Sequence, residues 1–238
     1  MKVLSVICAR SGSKGLRNKC IAKIMDKMVV EYSIQYSLSL GDNVKTVVST
    51  DITELISYCK SNKIEYIIRA PELCTDGSKI EDTLVDAIEK KGKDCEYCSL
   101  IYGNIPTRYP EIFHNALLYL EENKDYDAVI SMQSVGKFHP DWMFDYNETI
   151  VPKRVETHFR RQALSPKMIH DGHTLIFRIE EFYKKCKGLI TYNNEYKYSI
   201  FGNKIKPLIT DNIIVDIDSE KDLEIAKKIM EKFQNKDI

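Results

Sequence analysis

The sequence lacks a surplus of charge of either sign and lacks any long apolar run. Its 35 lysine and arginine residues balance 35 aspartate and glutamate residues over 238 positions. Zero net charge gives no reason to expect a nucleic-acid-binding protein or a polybasic membrane protein. No apolar run approaches the ~20 residues needed to cross a bilayer, so we expect no membrane segment. The N-terminal residues lack the length and cleavage site of a signal peptide, and we expect a cytoplasmic protein.

A framework of paired cysteines is lacking as well. The seven cysteines are an odd number and are scattered along the chain, which predicts buried thiols in a reducing compartment. Cys95 and Cys98 form one CxxC pair, but no second pair follows at a spacing suited to structural zinc. The cysteines therefore give little support for a metal or redox role.

What the chain does contain is an alternation of strand and helix patterns. Apolar and β-branched runs predict strands at 2–9, 45–49, 65–68, 97–102, 128–132, 174–177 and 213–215. Helical spacing predicts helices at 29–40, 52–61, 80–90, 111–122, 180–185 and 220–233. Asp51 stands where an N-cap of the second helix is expected. This order predicts a single α/β domain over residues 1–238, with three layers and a mostly parallel sheet.

The alternation breaks over residues 134–170, which we interpret as an insertion. The block is rich in histidine, proline, basic and aromatic residues, and includes Trp142, Phe144, Tyr146 and Phe159. A solvated linker would contain few such aromatic side chains. The insertion is therefore expected to pack against another surface.

A basic, glycine-containing loop directly follows the first predicted strand. It runs from Arg10 to Lys19 with glycines at 12 and 15, and no acidic residue precedes Asp26. Its positive side chains are Arg10, Lys14, Arg17 and Lys19. Ligands of open α/β sheets bind outside the carboxyl ends of the strands, where such a turn can bind phosphates. The loop fits neither the Walker A nor the GxGxxG pattern, and the alternative is a merely basic surface loop.

Near the other end, Asp216 and Asp218 follow the predicted strand 213–215. Residues two apart in a strand share a side, so the two carboxylates could bind one Mg²⁺ together with phosphate oxygens. The alternative is a helix N-cap at Asp218 or Ser219, with Asp222 favoured in the first turn by the helix dipole.

Several segments, in order along the whole chain, together resemble the family of CMP-sialic acid synthetases. The loop reads Ala9-Arg10-Ser-Gly-Ser13-Lys14-Gly15-Leu-Arg-Asn-Lys19-Cys20, and the other segments are Ser49-Thr50-Asp51, Arg69 to Ser78, Arg161-Gln162 with Asp171-Gly172, and Asp216-Ile-Asp218. The resemblance implies a nucleotide-diphospho-sugar transferase fold, similar to a Rossmann fold, with a dimerisation insertion. It also implies transfer of CMP from CTP to the anomeric hydroxyl of a sialic-acid-like sugar acid, with release of pyrophosphate.

The resemblance also implies roles for individual residues. Arg10 and Lys19 are the expected catalytic residues, and Asp216 and Asp218 the expected Mg²⁺ ligands. The expected nucleotide-binding residues are Cys8, Ala9, Arg10, Ser13, Lys14, Lys19, Cys20, Arg69, Ser78, Tyr102 and Asn104. The expected sugar-binding residues are Arg108, His139, Arg161 and Gln162. A homodimer is expected because the family's insertion completes the sugar site of a second subunit.

Three positions depart from the family pattern. Cys20 replaces an asparagine, Tyr102 replaces a glutamine that would face the base, and Trp142 falls where a lysine would bind the sugar carboxylate. Asn104 could read a base edge instead, and Arg154, Arg160 or Arg161 could bind the carboxylate. A nucleotidyltransferase using another nucleoside triphosphate or a sugar phosphate therefore stays open, as does a non-catalytic nucleotide-sugar-binding protein. The acceptor could be a sialic, legionaminic or pseudaminic acid.

Overall fold

In the computed structural model of the protein, the described residues are 2–12, 15–147, 149–152, 160, 163–190 and 198–234. The strands are β1 (Val3–Ala9), β2 (Lys23–Ile24), β3 (Lys27–Met28), β4 (Val44–Thr50), β5 (Tyr66–Ile68), β6 (Tyr97–Tyr102), β7 (Ala128–Ser134), β8 (Phe144–Asn147), β9 (Thr149–Pro152), β10 (Met168–Arg178) and β11 (Ile205–Ile209). The helices are α1 (Val29–Ser39), α2 (Thr53–Ser61), α3 (Ile80–Lys91), α4 (Pro110–Glu122), α5 (Ile179–Cys186) and α6 (Glu220–Gln234). All six predicted helices are confirmed, with ends that differ from the prediction by one residue.

Seven strands form one sheet in the order β11-β7-β10-β6-β1-β4-β5. β10 runs antiparallel to β6 and β7, and the other pairings are parallel, which confirms the predicted mostly parallel sheet. In the register, Cys8 of β1 lies between Ser49 of β4 and Tyr102 of β6. The carboxyl ends of three parallel strands therefore meet beside the basic loop.

Helices cover both faces of the sheet, which gives the predicted three layers. β1 is buried along its whole length, because the sheet is enclosed on both sides. Ile34 of α1 and Phe113 of α4 lie in one apolar cluster, and Leu84 of α3 and Phe182 of α5 lie in the other. No helix in the described part of the chain is long and apolar enough to cross a bilayer.

Near the C-terminus one predicted strand was wrong and one strand was missed. Residues 213–215 are apolar but form no strand, because the backbone N–H of Val215 donates to the Thr107 hydroxyl instead of to a neighbouring strand. The strand β11 was missed because Pro207 interrupts its pattern. Proline lacks the N–H that a central strand needs, and β11 is an edge strand, where proline is tolerated.

The predicted N-cap of α2 was also wrong. Ile52 occupies the N-cap position, and the Asp51 carboxylate accepts hydrogen bonds from Ser11 in the basic loop. Ser219 and Asp222, by contrast, bond each other at the start of α6, with the Asp222 carboxylate accepting from the Ser219 N–H at 2.9 Å. This contact fits the structural role considered for Asp222.

The insertion contains a short hairpin of β8 and β9, preceded by a 3₁₀ turn at Pro140–Trp142. Phe138, Phe144 and Tyr146 are exposed to 66%, 59% and 83%. Three large aromatic side chains thus face outward from one part of the chain.

Candidate functional site

A cavity of about 260 Å³ lies at the carboxyl ends of β1 and β6. Eight of the residues predicted to bind a nucleotide line it: Cys8, Arg10, Lys19, Cys20, Arg69, Ser78, Tyr102 and Asn104. Ala9 is buried and is not one of the lining residues. Ser13 and Lys14 lie outside the described residues. The structure therefore brings together side chains from the loop and from several strand ends.

Sequence reasoning missed five other lining residues. They are Leu73, Thr75, Lys79, Ile80 and Thr83. All belong to the turn after Arg69 or to the first residues of α3. In the sequence, only their position could have indicated them, since they lie within or directly after the segment from Arg69 to Ser78 that resembles the family.

Arg10 is held at the rim of the cavity by the turn that follows β5. Its guanidinium donates to the Cys74 carbonyl at 2.9 Å and to the Asp76 carboxylate at 3.0 Å. The Arg10–Asp76 ion pair is partly exposed, so water and salt weaken it. A phosphate that entered the cavity could therefore compete with Asp76 for this guanidinium.

Asp51 fixes the start of the loop. Its carboxylate accepts from the Ser11 N–H at 2.7 Å and also from the Ser11 hydroxyl. Burial acts to raise the pKa of Asp51, but the bonds from Ser11 outweigh it, so the pKa lies below its ordinary value. Gly12, the next residue, has a φ of +71°, a left-handed conformation that glycine adopts without strain.

The far end of the loop packs against the backbone of Asp218. The Leu16 N–H donates to the Asp218 carbonyl at 2.8 Å. A Cβ on Gly15 would lie 2.2 Å from the same carbonyl oxygen, so only glycine permits this approach. The Lys19 ammonium also donates to the Asp218 carboxylate. The basic loop and the acidic segment are thus in direct contact.

Asp216 and Asp218 are both exposed residues, but neighbouring atoms partly desolvate the Asp216 carboxylate. This desolvation and then the like charge of Asp218 raise the pKa of Asp216, while the Lys19 charge and a hydrogen bond from Asn104 oppose the rise. The Asn104 amide donates to the Asp216 carboxylate and, at 3.1 Å, to the Ile217 carbonyl. Asn104 also lines the cavity, so the reading of a base edge by Asn104 stays a prediction, while its amide hydrogens are directed to the acidic segment.

The two carboxylates have chemistry that suits Mg²⁺. They supply hard oxygen ligands, and the mutual repulsion of two charges is relieved by a cation. Among the described residues, no three His, Cys, Asp or Glu side chains cluster as a metal site. Mg²⁺ is commonly held by one or two carboxylates, with water and substrate phosphates completing the shell. Asp216 and Asp218 therefore fit a cation that is shared with a bound phosphate.

The wall of the cavity contains neutral thiols. Burial raises the pKa of Cys20 to about 12 and raises that of Cys8, so both remain protonated near neutral pH. Arg69 is 5% exposed and donates to the Ser49 hydroxyl at 3.2 Å and the Ser49 carbonyl at 2.8 Å. These contacts connect β4 to the turn that carries Ser78.

Arg108 and His139, the two described residues that were predicted to bind the sugar, are not among the lining residues of this cavity. Arg108 donates to the carbonyl oxygens of Ile105, His173 and Tyr102, and burial lowers its pKa to about 10. His139 is 4% exposed, with Nε2 at 2.9 Å from the Ser165 carbonyl. Their sugar contacts remain predictions.

Two further predicted sugar-binding residues, Arg161 and Gln162, lie outside the described residues. So does Arg154, which was considered as a carboxylate partner. Arg160 is described and exposed.

A mostly parallel sheet with a basic loop, a cavity and paired carboxylates at its strand ends is the arrangement typical of α/β nucleotide-binding proteins. A family model described as cytidylyltransferase matches residues 4–204. The chain belongs to the cytidylyltransferase family.

The sequence relatives are named for N-acylneuraminate and for legionaminic acid. The chain is 29% identical to N-acylneuraminate cytidylyltransferase of Streptococcus agalactiae serotype V over 205 residues, which are 84% of this chain and 48% of that one. The chain thus spans about half the length of that relative. It is 24% identical to CMP-N,N'-diacetyllegionaminic acid synthase of Legionella pneumophila over 246 residues, covering 97% of each.

A solved structure confirms the fold. CMP:2-keto-3-deoxy-manno-octonic acid synthetase complexed with CTP matches with a TM-score of 0.73 and 15% identity, over 98% of this chain and 99% of that one.

Proposed function

We propose that this protein transfers CMP from CTP to the anomeric hydroxyl of a sialic-acid-like sugar acid. The hydroxyl oxygen forms a bond to the α-phosphorus, and the bond from that phosphorus to the bridging oxygen of pyrophosphate breaks. The hydroxyl proton leaves to solvent, and the products are a CMP-sugar and pyrophosphate. The observation that carries the proposal is the cavity at the end of β1, where Arg10, Lys19 and Asn104 meet beside Asp216. The names of the sequence relatives support the choice of CTP and a sugar acid.

Catalysis rests on positioning and on charge. Arg10 and Lys19 exchange their partners Asp76 and Asp218 for phosphate oxygens when the triphosphate binds. Donors that already face a transferred phosphoryl group stabilise the charge that develops on it. The barrier falls because these donors need not reorganise during the reaction. Asp216 and Asp218 would hold Mg²⁺, which when bound neutralises phosphate charge and lowers the barrier as a Lewis acid.

The acceptor belongs to the class of sialic, legionaminic and pseudaminic acids. The names of the relatives include N-acylneuraminate, legionaminic acid and pseudaminic acid. We place the reaction in the cytoplasm, which the seven free cysteines support, since reduced thiols are typical of that compartment.

The protein acts as a homodimer in this proposal. Phe138, Phe144 and Tyr146 expose a large apolar surface on the insertion, and such surfaces are typical of protein contacts. A twofold arrangement lets the same patch serve both subunits.

A second candidate is a nucleotidyltransferase of the same fold with another nucleoside triphosphate or a sugar phosphate. Tyr102 and Cys20 favour it, because they line the cavity where the family has glutamine and asparagine. A thiol offers much weaker hydrogen bonds than an amide.

The test is pyrophosphate release with each of four nucleoside triphosphates against a panel of sugar acids and sugar 1-phosphates. We expect release with CTP and a nine-carbon sugar acid, and a product with the mass of the CMP-sugar. Release with a different nucleotide alone, or with sugar phosphates alone, would favour the second candidate. A binding protein would release none in any combination. The control is the double variant with Asp216→Asn and Asp218→Asn. It should abolish the pyrophosphate release that depends on Mg²⁺.

A further inference from the structure

The acidic segment at 213–218 is attached to the loop after β6 through both side-chain and backbone groups. It belongs to none of the strands in the described sheet. The Val215 N–H donates to the Thr107 hydroxyl at 2.9 Å, and the Ile217 N–H donates to the Asn104 carbonyl at 3.1 Å. The position of the carboxylates therefore depends on the loop after β6 rather than on a β-ladder.

Asn104 makes the most extensive of these attachments. Its backbone carbonyl accepts from Ile217, and its side-chain amide donates to the Ile217 carbonyl at 3.1 Å. The same amide donates to one oxygen of the Asp216 carboxylate. Asn104 is 7% exposed and directly follows Gly103, whose N–H donates to the Cys8 carbonyl at 3.0 Å. The asparagine is thus fixed to β1 while it holds the acidic segment.

The chemistry of asparagine is well suited to this double contact. A carboxamide has two N–H donors on one nitrogen, which can serve the Ile217 carbonyl and the Asp216 carboxylate together. A threonine or serine hydroxyl has one donor, and an aspartate at this position would repel Asp216. A hydrogen bond to one carboxylate oxygen restricts the rotation of the group before any cation arrives.

We propose that Asn104 is a positioning residue for the divalent cation, and that its amide orients the Asp216 carboxylate for binding. Partners that orient a metal ligand commonly change metal affinity about 10- to 100-fold when they are removed. The inference rests on the proposed function, since that function assigns Asp216 and Asp218 as the cation ligands. A role of Asn104 in base recognition makes a different prediction, because removal of the amide would then change nucleotide binding in the absence of metal.

The test measures cation binding without turnover. Mn²⁺ affinity is determined by electron paramagnetic resonance with CTP analogues whose α–β bridging oxygen is a methylene, in the wild type and in Asn104→Ala. We expect Mn²⁺ binding to weaken about 10- to 100-fold in Asn104→Ala, with metal-free binding of the analogue within threefold of the wild type. Equal Mn²⁺ affinity in a folded Asn104→Ala protein would overturn the proposal, as would a loss confined to metal-free nucleotide binding.

Thr107→Val is the matched control. It removes the acceptor of the Val215 N–H but leaves the Asn104 amide in place. We expect the Mn²⁺ affinity of Thr107→Val to stay within threefold of the wild type. A loss as large as that of Asn104→Ala would show that attachment of the acidic segment, rather than orientation of the Asp216 carboxylate, determines cation binding. Should Asn104→Ala not fold, Asn104→Ser retains one donor and is expected to give an intermediate affinity. An affinity equal to the wild type in Asn104→Ser would count against the proposal.

The two proposals can fail separately. If the wild type binds Mn²⁺ with the analogue but releases no pyrophosphate from any substrate pair, the proposed function fails while the effect of Asn104 is still measured. If the wild type turns over and Asn104→Ala binds Mn²⁺ normally, the role of Asn104 fails and the proposed function stands.

Discussion

The Asp51 carboxylate accepts two hydrogen bonds from Ser11, one from the backbone N–H at 2.7 Å and one from the hydroxyl. The contact joins the end of β4 to the start of the basic loop. Because Arg10 is the neighbour of Ser11, the same contact sets the position of a proposed catalytic side chain. A residue 40 positions away thus fixes the entrance of the loop.

Asp51→Ala should raise the KM for the nucleotide about tenfold or more, because a hydrogen bond to a charged group contributes about 1.5–3 kcal/mol. Asp51→Asn keeps one acceptor for the Ser11 N–H and should raise KM less. Steady-state pyrophosphate release at varied CTP and saturating acceptor measures both. A KM equal to the wild type in Asp51→Ala would show that the loop holds its shape without this carboxylate.

The same carboxylate predicts a pH dependence of stability. The pKa of Asp51 is lower in the folded protein than its ordinary value near 4, so its contribution is fully present above that value. The contribution is lost as the pH falls through the lowered pKa. Melting temperatures of the wild type and Asp51→Asn should therefore differ by a constant amount between about pH 6 and 8 and converge below about pH 4. A difference that grows as the pH falls would contradict the assignment.

Gly15 is the second position where the loop depends on one residue. Its α-carbon lies so close to the Asp218 carbonyl that a Cβ would be 2.2 Å from the oxygen. Gly15→Ala must push the loop away from the acidic segment, and a misplacement of about 1 Å can cost about 100-fold in rate. Gly77→Ala is the matched control, because its Cβ would meet only the Thr75 hydroxyl at 3.9 Å. We expect kcat/KM to fall about 100-fold in the first and to stay within threefold in the second. Equal activities would remove the steric argument.

Most of the cavity could be predicted from the sequence, for a physical reason. Parallel strands end at one edge of a sheet, so residues that follow β1 and β6 converge whatever the details of the loops. Cys8 and Tyr102 are register partners, and both line the cavity. The glycines and positive charges of the basic loop after β1 then predicted a phosphate site there.

The remaining features depend on contacts between distant loops, which local patterns do not encode. Residues 213–215 have the composition of a strand, but the side chains of Thr107 and Tyr109 provide hydrogen bonds to this segment. Asp51 has the position of an N-cap, but its carboxylate accepts from Ser11, and the N-cap of α2 is Ile52. In each case a side chain from another loop replaces the local partner that the pattern favoured.

The exposed aromatic residues of the insertion predict how the chain assembles. Phe144 and Tyr146 are two apart in β8 and therefore share one face of the hairpin, where they are 59% and 83% exposed. Phe144→Glu with Tyr146→Glu should convert the proposed dimer to a monomer in light scattering after size-exclusion chromatography, because charges in an apolar interface are desolvated without partners. The melting temperature of the isolated subunit should not fall, since neither side chain is buried within it. Leu38→Glu, at a site on α1 that is 56% exposed, is the matched control and should remain dimeric. A wild-type monomer, or a double variant that stays dimeric, would show that this face does not form the interface.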